Sequence, residues 1–162
     1  FALWSVVKRK ARHAPVQGWF LVQRLVLGDG SGEGKRSYHH TAPVNSLYAL
    51  HESLVLLKNE GLDNAWSRHH AMHQELKEGV EALGLKFVVD EESRLPQLNA
   101  LYFPEGIDEA KVRTQLLEEY NLEIGAGLGS LAGKAWRIGL MGYGSRKEHV
   151  ALFLKALHDD LN

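Results

Sequence analysis

A chain of 162 residues with 44% hydrophobic and 24% charged side chains has the length and make-up of one globular domain with a core of its own. Its formal net charge of −1 and its lack of cysteine exclude several function classes. There is no basic stripe for nucleic acid, no disulfide, no thiolate metal site and no cysteine nucleophile, and no apolar run approaches the ~20 residues of a membrane span. The expected partner is therefore a small molecule or another protein, and the absence of cysteine fits a reducing compartment, with the cytoplasm expected and an organelle open for a eukaryote.

Residues 1–43 read as irregular. A short apolar and basic helix (Lys8, Arg9, Lys10, Arg12) is followed by Trp19-Phe20-Leu21, by Leu25-Val26-Leu27 and by the turn-rich loop Gly28–Gly34. Nothing there makes a self-sufficient core. The opening Phe1-Ala2-Leu3-Trp4 resembles the middle of a helix, so the chain reads as a fragment.

From Asn45 the periods are clean. Leu47, Leu50, Leu54 and Leu57 recur at three and four residues and predict an amphipathic helix ending at Gly61. Asp63 opens a longer helix with the stripe Leu62, Trp66, His69, Met72, Leu76, Val80 and Leu83, closed by Gly84. Strands are predicted at Leu85–Val89 and Leu98–Phe103, and a helix from Asp108 with Val112, Leu116 and Tyr120 on one face. A short strand is expected at Leu122–Ile124, and a fourth where Trp136, Ile138 and Leu140 alternate with Arg137, Gly139 and Met141. Ser145 and Glu148 form a capping-box pattern ahead of the closing helix with Val150, Phe153, Leu154, Leu157 and Leu161. The order predicts an α/β architecture, a small sheet with helices packed on a face.

Four groups of residues invite chemistry. The glycine loop Gly125–Lys134 fails as a phosphate loop, because Leu128 and Ala135 stand where glycine and Ser or Thr are needed. It fails as a dinucleotide fingerprint at Ser130, and it precedes a strand rather than a helix. Its expected role is to let backbone pass close to another surface. His69 and His73 have a zinc-compatible spacing, yet they fall within the apolar stripe and read as half-buried, hydrogen-bonded histidines. Ser37-Tyr38-His39-His40-Thr41-Ala42-Pro43 offers five hydrogen-bonding side chains just before a helix: a neutral anion site or an ordinary capping loop. Arg137 is the sharpest single residue. The core face of its strand holds Trp136, Ile138 and Leu140, so the guanidinium points the other way between Ala135 and Gly139, with room for a planar carboxylate; a plain solvent-facing arginine reads the same way.

Together, the segment Ser37–Leu54, the turn Gly61-Leu62-Asp63-Asn64-Ala65-Trp66 and Gly127-Leu128-Gly129 running into Trp136-Arg137-Ile138-Gly139-Leu140-Met141-Gly142 resemble the class V aminotransferases, within them the alanine–glyoxylate/serine–pyruvate subgroup. The resemblance implies the small carboxy-terminal α/β domain of a fold-type-I homodimer at 44–162, preceded at 1–43 by the tail end of the large cofactor-binding domain and its connecting loop. It implies pyridoxal 5'-phosphate as cofactor, with Tyr38 and Thr41 reaching the phosphate of the neighbouring subunit's cofactor and Arg137 clamping the substrate α-carboxylate. The Schiff-base lysine, the aspartate on the pyridine nitrogen and the ring-stacking aromatic are expected upstream, so no catalytic residue, and no metal ligand, is assigned within the chain. The implied reaction moves an amino group from alanine or serine to a small 2-oxo acid such as glyoxylate or pyruvate, with this chain inactive by itself. Alternatives are another class V enzyme, such as a hydroxykynurenine or phosphonate transaminase or a desulfurase-like lyase, and a non-catalytic small-molecule-binding α/β domain.

Overall fold

The computed structural model describes residues 41–161. The chain divides into two compact units, the first ending at Glu52 and the second beginning at Ser53. Helix α1, Val44–Glu60, follows Pro43 and buries none of its residues; Leu47, Leu50 and Leu54 are each more than half exposed. Gly61, at φ +84°, turns the chain into α2, Leu62–Ala82, a conformation that a side chain would strain.

The second unit holds a four-stranded antiparallel sheet of β1 (Lys86–Phe87), β2 (Leu98–Tyr102), β3 (Gly125–Ala126) and β4 (Ala135–Gly139), in the order β1-β2-β4-β3. Helix α3, Glu109–Tyr120, connects β2 to β3, and α4, Lys147–Leu161, closes the chain. Asp108 caps α3, its Oδ1 accepting from the Lys111 N–H at 3.1 Å, and Asn121 ends it in the left-handed conformation at φ 51°. Strand alternation sets the two faces of the sheet. Leu101, Trp136 and Ile138 point inward and join Leu76 and Val80 of α2, Val112 and Leu116 of α3, and Val150, Phe153 and Leu157 of α4 in one core. The opposite face carries exposed Leu98 and Tyr102 and half-buried Ala100 and Arg137. Helices α2 and α4 approach closely at Gly79, where a Cβ would stand 2.3 Å from Leu154 Cδ1.

The α/β architecture agrees with the sequence reading, and so do the order and type of the main elements. Four local expectations differ. Only Lys86–Phe87 of the first predicted strand is ladder-paired, although the Val88 N–H still reaches the Ala100 carbonyl at 2.9 Å. The short third strand lies at Gly125–Ala126 rather than Leu122–Ile124: the Leu122 N–H is still bonded to the Leu116 carbonyl at 3.0 Å, closing α3, while Ile124 turns into the core. The first turn of the α2 stripe does not face the core, since Leu62 and Trp66 are 53% and 60% exposed. The buried face of α2 passes instead through Ala65, His73, Leu76 and Val80. Finally, Ser145 is no cap: its Oγ is buried with no hydrogen-bond partner among the described residues, and the Arg146 carbonyl receives the first amides of α4 from His149 and Val150, both at 3.1 Å. The capping-box pattern thus sits one residue ahead of the helix start.

Among the described residues, no helix is long and apolar enough to cross a membrane.

Candidate active site

Arg137 is the third residue of β4, with Ala100 of β2 and Gly125 of β3 as its cross-strand partners. Partners directly opposite project from the same face, so the guanidinium emerges between two of the smallest side chains. Its Nε donates to the Ala126 carbonyl at 2.7 Å. That bond bends the side chain over β3, and a Cβ on Gly125 would meet Nη2 at 3.2 Å and Cζ and Nε at 3.4 Å. With Nε engaged, the outer edge formed by Nη1 and Nη2 is the pair of donors left for a planar acceptor. That edge matches the two oxygens of a carboxylate. The openness expected beside Arg137 is only half as drawn. Gly139 is exposed, but Ala135 is covered, its carbonyl held by the Gly127 N–H at 2.8 Å. The space on the other flank comes from Gly125, a residue that strand alternation alone did not single out.

The glycine loop behaves as a close-approach device. A Cβ on Gly127 would lie 2.0 Å from the Leu131 carbonyl oxygen, and Gly129 and Gly133 take φ of +56° and +67°. Gly127→Ala would therefore force backbone apart rather than displace a side chain.

The segment leaving β4 is tied down by α2. Arg68 binds Glu60 through Nε and Nη2 at 2.5 and 2.9 Å, and its Nη1 donates to the carbonyls of Gly142 and Ser145 at 2.8 and 3.0 Å. The hydrogen bond from Arg68 holds the Glu60 carboxyl below its ordinary range, and the same bond pushes the guanidinium up. His69 adds a second tie. Its Nε2 accepts from the Gly142 N–H at 3.2 Å, so its Nδ1 carries the proton and donates to the Ala65 carbonyl at 2.6 Å. His73 is buried, and its Nδ1 donates to Asn99 Oδ1 at 2.7 Å. Both histidines are hydrogen-bonded, as their place in the apolar stripe suggested, but only His69 is half-buried; His73 lies inside, 5% exposed. Among the described residues no three His, Cys, Asp or Glu side chains converge as metal ligands.

Of the expected phosphate ligands, Tyr38 lies outside the described residues. Thr41 is exposed, three residues ahead of the start of α1, whose first turn holds no acidic side chain. Thr41 belongs to the first unit and Arg137 to the second.

Residues 15–152 match the family model for aminotransferase class V. The chain belongs to the class V aminotransferases. Alanine–glyoxylate aminotransferase of Callithrix jacchus is 43% identical over 127 residues, which are 78% of this chain and 31% of that protein. The (S)-ureidoglycine–glyoxylate transaminase of Bacillus subtilis (strain 168) is 41% identical over 123 residues, 76% of this chain and 30% of that one. Among solved structures, an alanine–glyoxylate aminotransferase from Nostoc sp. superposes with a TM-score of 0.83 at 45% identity, covering 98% of this chain and 41% of that one. The class V chain described here therefore spans about a third of the length of the curated relatives it matches.

Proposed function

We propose that these residues are the carboxy-terminal part of a pyridoxal-phosphate-dependent aminotransferase that moves an amino group from alanine or serine to a small 2-oxo acid, glyoxylate or pyruvate. The observation that carries the reading is Arg137, with Nε held by the Ala126 carbonyl and its Nη1–Nη2 edge left over. A 2-amino acid and a 2-oxo acid both place a carboxylate next to the reacting carbon. One fixed guanidinium therefore serves both halves of a transamination, holding that carbon in the same place each time. Glyoxylate is favoured as acceptor because the names of both curated relatives include it, while their amino donors differ.

The residues present fit the cofactor in their chemistry. Thr41 offers an uncharged donor beside a helix N-terminus free of acidic side chains, and Tyr38 adds a phenolic hydroxyl, which suits a phosphate dianion. When bound, pyridoxal phosphate supplies the electron sink for charge developing at the α-carbon. In our reading residues 1–43 end the large domain, 44–162 form the small one, and two subunits combine so that Tyr38 and Thr41 reach the partner's cofactor phosphate. The lysine that anchors the cofactor belongs to sequence beyond these residues, and the enzyme works in the cytoplasm.

The direct test is to assay the full-length protein and the 162-residue chain side by side with alanine and glyoxylate. The full-length protein should form pyruvate and glycine, and the chain alone neither product nor any borohydride-reducible cofactor absorbance. A reducible cofactor band from the chain alone would place the lysine within it. A full-length protein inactive with alanine and serine but active on phosphonate or kynurenine substrates would replace the reading by its relatives in the family. For the phosphate anchor, Tyr38→Phe and Thr41→Ala each remove one hydrogen bond to a charged group, about 1.5–3 kcal/mol. Cofactor affinity in the full-length enzyme should fall about tenfold or more for each. Equal affinity in both variants would return the pair to a loop-capping role.

A further inference from the structure

We infer that Gly125, with the carbonyl of Ala126, is the positioning element of the carboxylate clamp: it sets the plane in which Arg137 offers its two Nη groups, and so fixes an end-on mode of carboxylate binding. The inference rests on the reading of Arg137 as the clamp and adds the residues that aim it.

An arginine on an open sheet face has several rotatable bonds and no preferred direction of its own. Two constraints remove that freedom here. The first is the Nε–H bond to the Ala126 carbonyl at 2.7 Å, which spends the side edge of the guanidinium. A carboxylate can then pair with two N–H groups at once only across Nη1 and Nη2. The second is the missing side chain at Gly125. A Cβ built there lies at nearly equal distances from Nη2, Cζ and Nε, 3.2, 3.4 and 3.4 Å. Near-equal distances from all three atoms put it over the flat face of the guanidinium; an approach to the edge would leave Cζ clearly the farthest. Glycine thus lets the guanidinium lie flat on β3, with the backbone as its floor.

Nothing else at this position calls for glycine. Gly125 is a ladder-paired strand residue, it is absent from the positive-φ residues, and its three nearest would-be contacts all belong to Arg137. A larger side chain should leave the strand intact, since β-branched residues suit strands. The group it meets first is the Arg137 guanidinium. With Nε tethered, the guanidinium cannot slide away from a Cβ; it must tilt or give up the Ala126 bond. Either response turns the fork away from the carboxylate.

The test uses the full-length holoenzyme with Gly125→Ala, Gly125→Val and Arg137→Lys. Propionate is the non-reacting carboxylate probe, measured by calorimetry, and ethylamine is the amine substrate without a carboxylate. The Arg137 Nε–H is followed by hydrogen exchange in arginine-15N-labelled protein. Gly125→Val should weaken propionate about tenfold or more, the scale of one lost hydrogen bond to a charged group, with Gly125→Ala in between. Exchange of the Arg137 Nε–H should quicken in the same order, while the single-turnover half-reaction with ethylamine, which involves no carboxylate, keeps its wild-type rate. Unchanged propionate affinity in Gly125→Val, with Arg137→Lys weakened, overturns the positioning role and leaves the clamp standing. Weaker propionate with Nε–H exchange as slow as in wild type also overturns it, because valine would then be blocking the ligand directly. If Arg137→Lys itself leaves propionate unchanged, the clamp fails and the positioning role with it.

Discussion

Replacing Arg137 by lysine in the full-length enzyme is expected to lower kcat/KM for alanine by about 10²-fold or more, with cofactor binding little changed. The geometry sets the size of the effect. Arginine at this position divides its donors, giving Nε to the Ala126 carbonyl and leaving the Nη edge for the substrate. A lysine ammonium is one point of charge with no rigid fork. The Ala126 carbonyl and a carboxylate would compete for it, and neither would fix the plane of the other. The substrate can still be attracted, but its α-carbon is no longer held at one angle to the reacting groups. Such a loss appears mainly where orientation counts, in kcat/KM rather than in folding or in cofactor affinity. The control is ethylamine, which has no carboxylate to clamp. Its single-turnover half-reaction, which needs no 2-oxo acid, should hardly respond to Arg137→Lys. If alanine and ethylamine lose activity equally, or neither loses any, Arg137 is structural.

The outward direction of Arg137 was legible because alternation along a strand is a local property: fixing Trp136 and Ile138 inward fixes Arg137 outward. Which atoms of the glycine loop Arg137 touches was not legible. Its partners Ala126 and Gly125 come from β3, eleven and twelve positions earlier, and only strand pairing brings them alongside. The glycine loop showed that backbone must pass close to something, and Gly127 against the Leu131 carbonyl is such a place, but composition could not separate Gly127 from Gly125. Helical periodicity marked Leu47, Leu50, Leu54, Leu62 and Trp66 as apolar stripes, and all five are exposed. A period tells which residues share a side of a helix; it does not tell what that side meets. The misplacement of the third strand has a similar origin. Leu122 and Ile124 alternate like a strand, yet the αL turn at Asn121 spends the Leu122 N–H on closing α3. Ser145 and Glu148 satisfy a capping pattern by spacing, while the Arg146 carbonyl begins the helix. The ties from Arg68 and His69 to the segment after β4 span more than seventy residues of sequence and left no local signal.

The largest stability effect is expected at Trp136. Its side chain is fully buried, opposite Leu101 on β2 and Ala126 on β3, with the Phe103 ring at 5.3 Å between centroids. Trp136→Ala should cost about 3–5 kcal/mol, because packing is lost and the surrounding helices can close the space only in part. That is a large share of the roughly 5–15 kcal/mol by which a domain is stable. One feature of the site makes the number separable. Nε1 is buried, and none of the described residues accepts its hydrogen bond. An unsatisfied buried donor costs about 1–3 kcal/mol, so Trp136→Phe gives up part of the packing while relieving that penalty. Phenylalanine should therefore cost less than half of what alanine costs, as read from urea unfolding of the 162-residue chain with the denaturant slope unchanged. Equal losses in the two variants would mean that Nε1 has a partner. The two residues also test each other, since they are neighbours on β4 and face opposite ways. Loosening the inward anchor frees the strand that aims Arg137, so Trp136→Ala should lower stability and weaken propionate binding together. Arg137→Lys should weaken propionate binding with stability unchanged. A Trp136→Ala enzyme that binds propionate as tightly as wild type would show that β4 keeps its register without the tryptophan, and that the hydrogen bonds to β2 and β3 alone hold Arg137 in place.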